Sequence, residues 1–127
     1  MAVQMCLCKI MQRLKRSGLP THAISNYSRE KFDITRTLFP FLDEFDELVL
    51  SGDVGLVKPD AEIFELLVRR RSLNPARTVF IDDSAANVAT AQQLGFATIH
   101  FNEATTDLGA ELVRLGLSTE TISGRLG

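Results

Sequence analysis

Four short apolar runs, each followed by a segment of helical character, constrain the fold of this chain more than any other feature. In order along the sequence they read LPTHAIS, ELVLSG, TVFID and FATIHF. Strands that are buried on both faces are continuous apolar runs, and strands that alternate with helices pair in parallel. The sequence therefore predicts an α/β fold, in which a Rossmann-like parallel sheet of about four strands carries helices on both faces.

The helical segments in the first part of the chain begin and end at residues typical of helix termini. Apolar residues recur at helical spacing over residues 3–17, and Ser17-Gly18 is expected to close that helix. Ser28 is expected to cap a second helix, with Phe32 and Leu38 on its apolar side, and Pro40 is expected to end it. Each of these helices lies next to a predicted strand, as an α/β fold requires.

Similar signals bound the later helices. Pro59 is predicted to occupy the first position of a third helix, because its missing N–H has no partner there in any case. Either Asp83 or Ser84 is expected to cap the next helix, which Gly95 ends. A last helix is predicted over about 105–115.

The bulk composition fits one globular domain. The chain has 127 residues, of which 45% are hydrophobic and 24% charged, and we expect residues 1–117 to form the domain and 118–127 a frayed tail. A formal net charge of −2 gives no reason to expect nucleic acid as a partner, and no apolar run is long enough to cross a membrane. Cys6 and Cys8, in a chain without a secretion signal, are interpreted as reduced thiols, which predicts a cytoplasmic location.

Polar residues follow three of the predicted elements at the points where parallel sheets bind ligands. Ser25-Asn26 comes directly after the first strand, Lys58 closes the loop after the second, and Asp82-Asp83 ends the third. In open parallel sheets, ligands lie beyond the carboxyl ends of the strands. We therefore expect these three segments to direct polar groups to one edge of the sheet.

The acidic pair is the most informative of the three. One aspartate after a strand is explained by helix capping, but Asp82 and Asp83 together exceed that need. Adjacent carboxylates repel each other, and a hard divalent cation between them makes the arrangement favourable. Magnesium uses one or two carboxylates together with water and phosphate oxygens. The pair therefore predicts a Mg²⁺ site.

The other two segments are interpreted as phosphate ligands. Lys58 precedes a helix N-terminus, where the helix dipole disfavours a cation unless an anion lies nearby; the alternative is an ordinary solvated lysine. Ser25 and Asn26 can hold phosphate oxygens through a hydroxyl and an exposed N–H; the alternative is turn chemistry. His22 and His100 have no partner at catalytic spacing and are interpreted as core or edge residues.

In this order, the motifs resemble the haloacid dehalogenase-like (HAD) hydrolase superfamily, in its phosphatase branch with a helical cap. HAISNYS resembles the second motif of that family, GLVKPDAEIF the third, and VFIDDSAANVATAQQLG the fourth. The resemblance implies that Ser25 and Lys58 act on the phosphoryl group and that Asp82 and Asp83 bind Mg²⁺. Asn87 matches a common supporting residue of the fourth motif.

The chain departs from this family at the first motif. The family's reaction begins with a D-x-D motif after a central strand, and no D-x-D occurs in this sequence; we therefore find no nucleophile. The family's cap is absent as well. The chain resembles the C-terminal part of such an enzyme, and we expect it to be inactive alone. Without that central strand, the first and third strands would have unpaired inner edges unless they close on each other, self-associate or accept a strand from a partner chain.

Three functional hypotheses follow. The first is an N-terminally incomplete, Mg²⁺-dependent phosphomonoester phosphatase, resembling sugar-phosphate phosphatases, whose substrate would be a small phosphorylated metabolite. The second is a non-catalytic phosphate-binding or interaction module, or a degenerate remnant, which the missing nucleophile supports. The third is haloacid dehalogenase-type activity, in which the acidic pair would have no purpose. The presence of Ser25, Lys58 and the acidic pair favours the first.

Overall fold

The structure is a computed structural model and describes residues 5–102 and 104–116. Helices and strands alternate along this part of the chain. The helices are α1 (Met5–Arg16), α2 (Arg29–Leu38), α3 (Ser51–Val54), α4 (Ala61–Arg71), α5 (Ala85–Gln93) and α6 (Leu108–Arg114). The strands are β1 (His22–Ser25), β2 (Glu47–Leu50), β3 (Val79–Asp82) and β4 (Ala97–His100), and short 3₁₀ turns cover Pro40–Glu44 and Pro75–Arg77.

All four strands are present and every pairing is parallel, which confirms the predicted α/β class. β1 pairs with β2, with His22 opposite Glu47, and β3 pairs with β4, with Val79 opposite Ala97. Within the described residues the strands form two separate pairs, β1-β2 and β3-β4, and not one continuous sheet of four strands. Among residues 5–102 and 104–116, β1 and β3 do not pair with each other, and no strand lies between them.

Three apolar clusters hold the helices against these strand pairs. The first joins both pairs: Ile24 of β1 and Val49 of β2 pack with α4, and Phe80 of β3 lies edge-on to Phe64 of α4, with ring centroids 5.1 Å apart. The second covers the other face of β3-β4 with α1 and α6, through Leu14 and Leu112. Helices therefore lie on both faces, as predicted.

The third cluster covers β2 with α2 and the first 3₁₀ turn. Its fully buried members are Phe32, Leu42 and Leu50. The predicted position of Leu38 on the apolar side of α2 is wrong, because its side chain is 71% exposed. Helical spacing places Leu38 six residues after Phe32, which turns it away from the buried stripe.

Side-chain caps define two helix starts as predicted. Ser28 accepts a hydrogen bond from the Lys31 N–H at 3.1 Å, and Ser84, not Asp83, caps α5 by accepting from the Asn87 N–H at 3.3 Å. Two other predicted starts are wrong. Pro59 precedes α4, whose N-cap is Asp60, and α6 begins at Leu108 after the Asp107 cap. In α6 the capping carboxylate, which accepts from the Ala110 N–H, sets the start.

Gly52 allows α3 to approach the start of α2. A Cβ atom at this position would lie 2.7 Å from the Ser28 Cα and 3.0 Å from the Arg29 nitrogen. Both are backbone atoms, which cannot move aside as a flexible side chain can. The Gly52 N–H donates to the Tyr27 carbonyl at 3.1 Å. Only glycine fits this contact. The contact holds the chain after β2 against the start of α2.

The predicted tail, residues 118–127, lies outside the described residues. Among residues 5–102 and 104–116, no helix combines the length and the apolar character that crossing a membrane requires.

Candidate functional site

Asp82, at the carboxyl end of β3, is the centre of a polar network. Its Oδ1 accepts from the Ser84 N–H at 2.9 Å, and its Oδ2 accepts from the Asn87 side-chain amide at 3.0 Å and from Lys58 Nζ at 3.1 Å. The side chains of Lys58 and Asp82 are each only 10% exposed. The carboxylate is therefore a largely buried anion with three donors.

These donors determine the protonation state of Asp82. Burial is the largest single influence and would raise the pKa of its carboxyl group. The Lys58 charge and the hydrogen bonds from Ser84, Asn87 and Lys58 act in the opposite direction, and together they hold the pKa below its usual value. Asp82 is thus a carboxylate at neutral pH, as a metal ligand has to be.

Asn26 and Lys58 fasten the loops after β1 and β2 to each other. The Lys58 N–H donates to Asn26 Oδ1 at 2.9 Å, and the Asn26 amide donates back to the Lys58 carbonyl at 3.1 Å. Because the Lys58 side chain reaches Asp82, this residue connects the carboxyl ends of β1 and β3. The structure therefore brings together Asn26, Lys58, Asp82 and Asn87, from three separate segments.

Ser25 lies beneath this surface. It is fully buried, and its hydroxyl oxygen accepts the Tyr27 N–H at 3.1 Å. The hydroxyl thus stabilises the turn that presents Asn26. Asn26, Lys58, Asp82 and Asp83 line the same cavity, whereas Ser25 does not reach its surface.

Asp83 differs from Asp82 in having an exposed side chain. Its backbone carbonyl lies 3.0 Å from His100 Nε2, and among the described residues no hydrogen bond to its carboxylate is present. Nor does this part of the chain contain a group of three histidine, cysteine, aspartate or glutamate side chains able to hold a metal ion. Two adjacent carboxylates fit Mg²⁺ when water and phosphate oxygens complete the shell.

Two supporting contacts were not anticipated from the sequence. The Thr90 hydroxyl on α5 donates to the Pro59 carbonyl at 2.7 Å, which fastens the loop that carries Lys58 to the helix after Asp82. The His100 ring binds the Asp83 carbonyl. Neither has a local sequence signal, since both join residues 17 or more positions apart.

His22, like His100, was interpreted from the sequence as a core or edge residue. Both of its ring nitrogens are buried without a hydrogen-bond partner in the described structure. Burial lowers the pKa of the His22 imidazole, and the Arg71 charge and, to a smaller extent, Lys15 lower it further, while Asp46 and Glu47 act in the opposite direction. His22 is therefore a neutral side chain at pH 7, on the wall of the cavity.

The order and placement of these segments agree with comparison to known proteins. Residues 7–95 match the haloacid dehalogenase-like hydrolase family. The chain belongs to this hydrolase family. Its two strand pairs and helices also superpose on a HAD family enzyme from Bacteroides thetaiotaomicron, solved in complex with magnesium and inorganic phosphate, with a TM-score of 0.69 and 29% identity. That match covers 81% of this chain and 55% of the enzyme.

Two curated relatives are phosphatases. A sesquiterpene phosphatase, astK, from Aspergillus oryzae is 28% identical over 97 residues, covering 76% of this chain and 50% of that protein. The D-ribitol-5-phosphate phosphatase of Bacteroides thetaiotaomicron is 37% identical over 59 residues, covering 46% of this chain and 29% of that protein. The chain thus spans half or less of the length of these relatives.

Proposed function

We propose that this chain carries the phosphate-holding and magnesium-holding part of a phosphomonoester hydrolase site. The observation that carries the proposal is the contact between Lys58 Nζ and Asp82, 3.1 Å apart and 10% exposed. It joins a cation suited to phosphate to a carboxylate suited to Mg²⁺, at the edge where Asn26 also lies. The two phosphatase relatives and the neighbour bound to magnesium and phosphate support the same assignment.

In this proposal each residue has a distinct role. Asp82 and Asp83 would hold Mg²⁺, which neutralises charge on the phosphoryl oxygens when bound. Lys58 and Asn26 would orient the phosphate. Ser25 would act through the turn that it stabilises, and Asn87 would keep the Asp82 carboxylate in place. The substrate class is a small phosphorylated metabolite.

Catalytic turnover is a separate matter from this binding chemistry. The covalent route of the family requires an aspartate that attacks phosphorus, and no D-x-D motif occurs in the sequence. We therefore infer that the chain binds magnesium and phosphate but does not turn over a phosphomonoester by itself. The alternative is an interaction module or a degenerate remnant that binds no metal, favoured by the fact that both Asp82 oxygens already have donors within the protein.

Asp83 gives the sharpest test, because its carboxylate makes no hydrogen bond or ion pair to the described residues whose loss would destabilise the fold. Asp83→Asn is expected to leave the unfolding free energy unchanged in a metal chelator, but to abolish the rise in melting temperature that Mg²⁺ with inorganic phosphate produces. Glu65→Gln, the same change at an exposed position on α4, is the matched control and should keep that rise.

A melting temperature that does not respond to Mg²⁺ and phosphate in the unmodified chain would reject the binding role and favour an interaction module or a degenerate remnant. Hydrolysis of p-nitrophenyl phosphate completes the experiment. We expect no turnover with or without Mg²⁺. Turnover that needs Mg²⁺ and is lost in Asp82→Asn would show that the chain contains its own nucleophile.

A further inference from the structure

Basic side chains are concentrated at the amino ends of β1 and β3. Lys58 connects the carboxyl ends of these two strands, so their amino ends lie together at the opposite side of the domain, which we call the amino edge. The segments that precede the two strands, residues 13–21 and 69–78, contain seven basic side chains and no acidic one. The whole chain has a net charge of −2, so its surface charge is unevenly distributed.

The two basic segments meet at the start of β1. Lys15, at the end of α1, forms an ion pair with Asp46, and the Asp46 carboxylate accepts from the Thr21 N–H just before β1. Burial lowers the pKa of His22, the first residue of β1, and the charge of Arg71 at the end of α4 lowers it further. Because α1 and α4 pack in different clusters on opposite faces, their C-termini bring positive charge to this strand from both sides.

Acidic side chains of the chain neutralise only part of this charge. Lys15 pairs with Asp46, and Arg70 pairs with Glu47 at 3.7 Å. Four other arginines of the amino edge are exposed and form no ion pair with the described residues. These four, which we call the arginine group, are Arg16, Arg69, Arg71 and Arg77.

Helix dipoles explain part of this arrangement. A cation in the last turn of a helix interacts favourably with the helix dipole, and α1 and α4 both end in basic residues. Arg77 has no such explanation, because it belongs to a three-residue 3₁₀ turn before β3. Nor does the dipole remove the repulsion between neighbouring exposed cations, which a bound anion would relieve.

The acidic side chains beside the arginine group limit the size of that anion. Residues 43–47, which lead into β2, include four acidic side chains, and Glu44 lines a small surface pocket together with Lys15 and Thr21. A nucleic acid duplex or an anionic membrane would extend over these carboxylates and be repelled. A short acidic peptide can lie on the arginine group alone, and guanidinium groups bind carboxylates through two parallel hydrogen bonds.

We propose that the arginine group is a docking site for a short acidic segment of a partner protein. The segment presents about four Asp or Glu carboxylates, one for each guanidinium. The docking site lies at the opposite ends of the strands from Lys58 and Asp82, so binding needs neither phosphate nor metal. The interaction goes beyond the proposed function, and it leaves the carboxyl ends of the strands accessible while the partner is bound.

The test uses a fluorescently labelled peptide, Gly-Ser-Glu-Asp-Glu-Asp-Ser-Gly, titrated with the full chain in the absence of Mg²⁺. We expect saturable binding in fluorescence anisotropy at low salt. The affinity should fall about fivefold between about 50 and 200 mM salt, because exposed ion pairs are screened. The uncharged peptide Gly-Ser-Gln-Asn-Gln-Asn-Ser-Gly has nearly the same shape and should not bind.

Two double variants with the same change in net charge separate local contacts from the overall field. Arg71→Gln with Arg77→Gln removes half of the arginine group and should weaken binding about fivefold. Arg29→Gln with Lys31→Gln removes two charges from the first turn of α2, which follows the carboxyl end of β1, and should have no effect. Circular dichroism establishes that both variants fold, and the uncharged peptide tests the proposal even if a variant does not.

Amide chemical shifts locate the bound peptide. The peptide should move the resonances of Ser72 and Arg77, in the loop that carries part of the arginine group, and leave those of Asp82 and Asn87 unchanged. Movement of Asp82 and Asn87 instead would place the peptide against Lys58, at the carboxyl ends of the strands, and would overturn the proposal.

Three further results would overturn it. Absence of binding at low salt is the first. An equal loss of affinity in the two double variants would show that only the net charge of the chain matters. A labelled DNA duplex that binds more tightly than the peptide, and loses affinity in Arg71→Gln with Arg77→Gln, would identify a nucleic acid as the partner of the arginine group.

Discussion

Replacing Lys58 by methionine tests the buried ion pair that connects the carboxyl ends of β1 and β3. The two charged atoms are 3.1 Å apart, which at an effective dielectric constant of about 20 corresponds to roughly 5 kcal/mol of attraction. Each side chain keeps 10% of its surface exposed, and the solvent and the neighbouring hydrogen-bond donors screen more than half of this attraction. We therefore expect a coupling free energy of about 2 kcal/mol between Lys58 and Asp82.

The coupling is measured with a double-mutant cycle. Urea unfolding of the unmodified chain, Lys58→Met, Asp82→Asn and the double variant gives four free energies of unfolding, all in a chelator so that no metal contributes. Lys58→Met alone should be the most damaging change, because it leaves the Asp82 carboxylate buried with only neutral donors. The double variant should recover part of that loss.

The exposed pair of Arg36 and Asp43 provides the matched control. Its atoms are 3.4 Å apart, close to the separation in the buried pair, but the two side chains are 45% and 58% exposed. Exposed pairs couple by less than about 1 kcal/mol. A Lys58–Asp82 coupling no larger than that of Arg36–Asp43 would refute the reasoning, since it would mean that burial does not strengthen the contact.

Two further predictions concern the packing around β1 and β2. Gly52→Ala should destabilise the chain by about 2 kcal/mol in urea unfolding, because the new Cβ would lie 2.7 Å from the Ser28 Cα. Gly55→Ala, at a positive φ but with no atom within 4 Å, should cost only about 1 kcal/mol; equal losses would contradict the steric explanation. The lowered pKa of His22 means that the unfolded chain binds the proton first as the pH falls below about 6.5. Stability should therefore decline as the pH falls below about 6.5, and His22→Gln should reduce this decline; an identical pH dependence in the variant would show that His22 is not responsible.

Local sequence signals were sufficient to predict the strands and part of the helix termini. Each strand lies within one of the four apolar runs, because a strand buried on both faces needs apolar residues at every position. Ser28 and Ser84 were predictable as caps, since capping depends only on a side chain and the N–H three residues later. The exposed position of Leu38 follows from helical spacing, which turns a residue six positions after Phe32 away from the buried stripe; its apolar character alone led to the wrong prediction.

Contacts between residues far apart in the sequence were harder to predict. Chain order and the parallel-sheet rule placed Asn26, Lys58 and Asp82 at one edge. They did not reveal that Lys58 bonds directly to Asp82, because that contact depends on the shape of two loops. The separation of the sheet into two pairs was anticipated only through the missing central strand, since each strand by itself has the composition of a paired one.

The polar network also changes how the presence of the motif residues should be interpreted. Lys58, Asp82 and Asn87 make contacts that hold the loop after β2 to the carboxyl end of β3. Their side chains would therefore be needed for stability even in a chain that never meets a substrate, and their presence does not distinguish an enzyme from a non-catalytic module. Asp83 has no such role among the described residues, because its carboxylate is exposed and only its backbone carbonyl makes a contact. If Mg²⁺ stabilises the unmodified chain and not Asp83→Asn, that carboxylate has a function in ligand binding that folding alone does not explain.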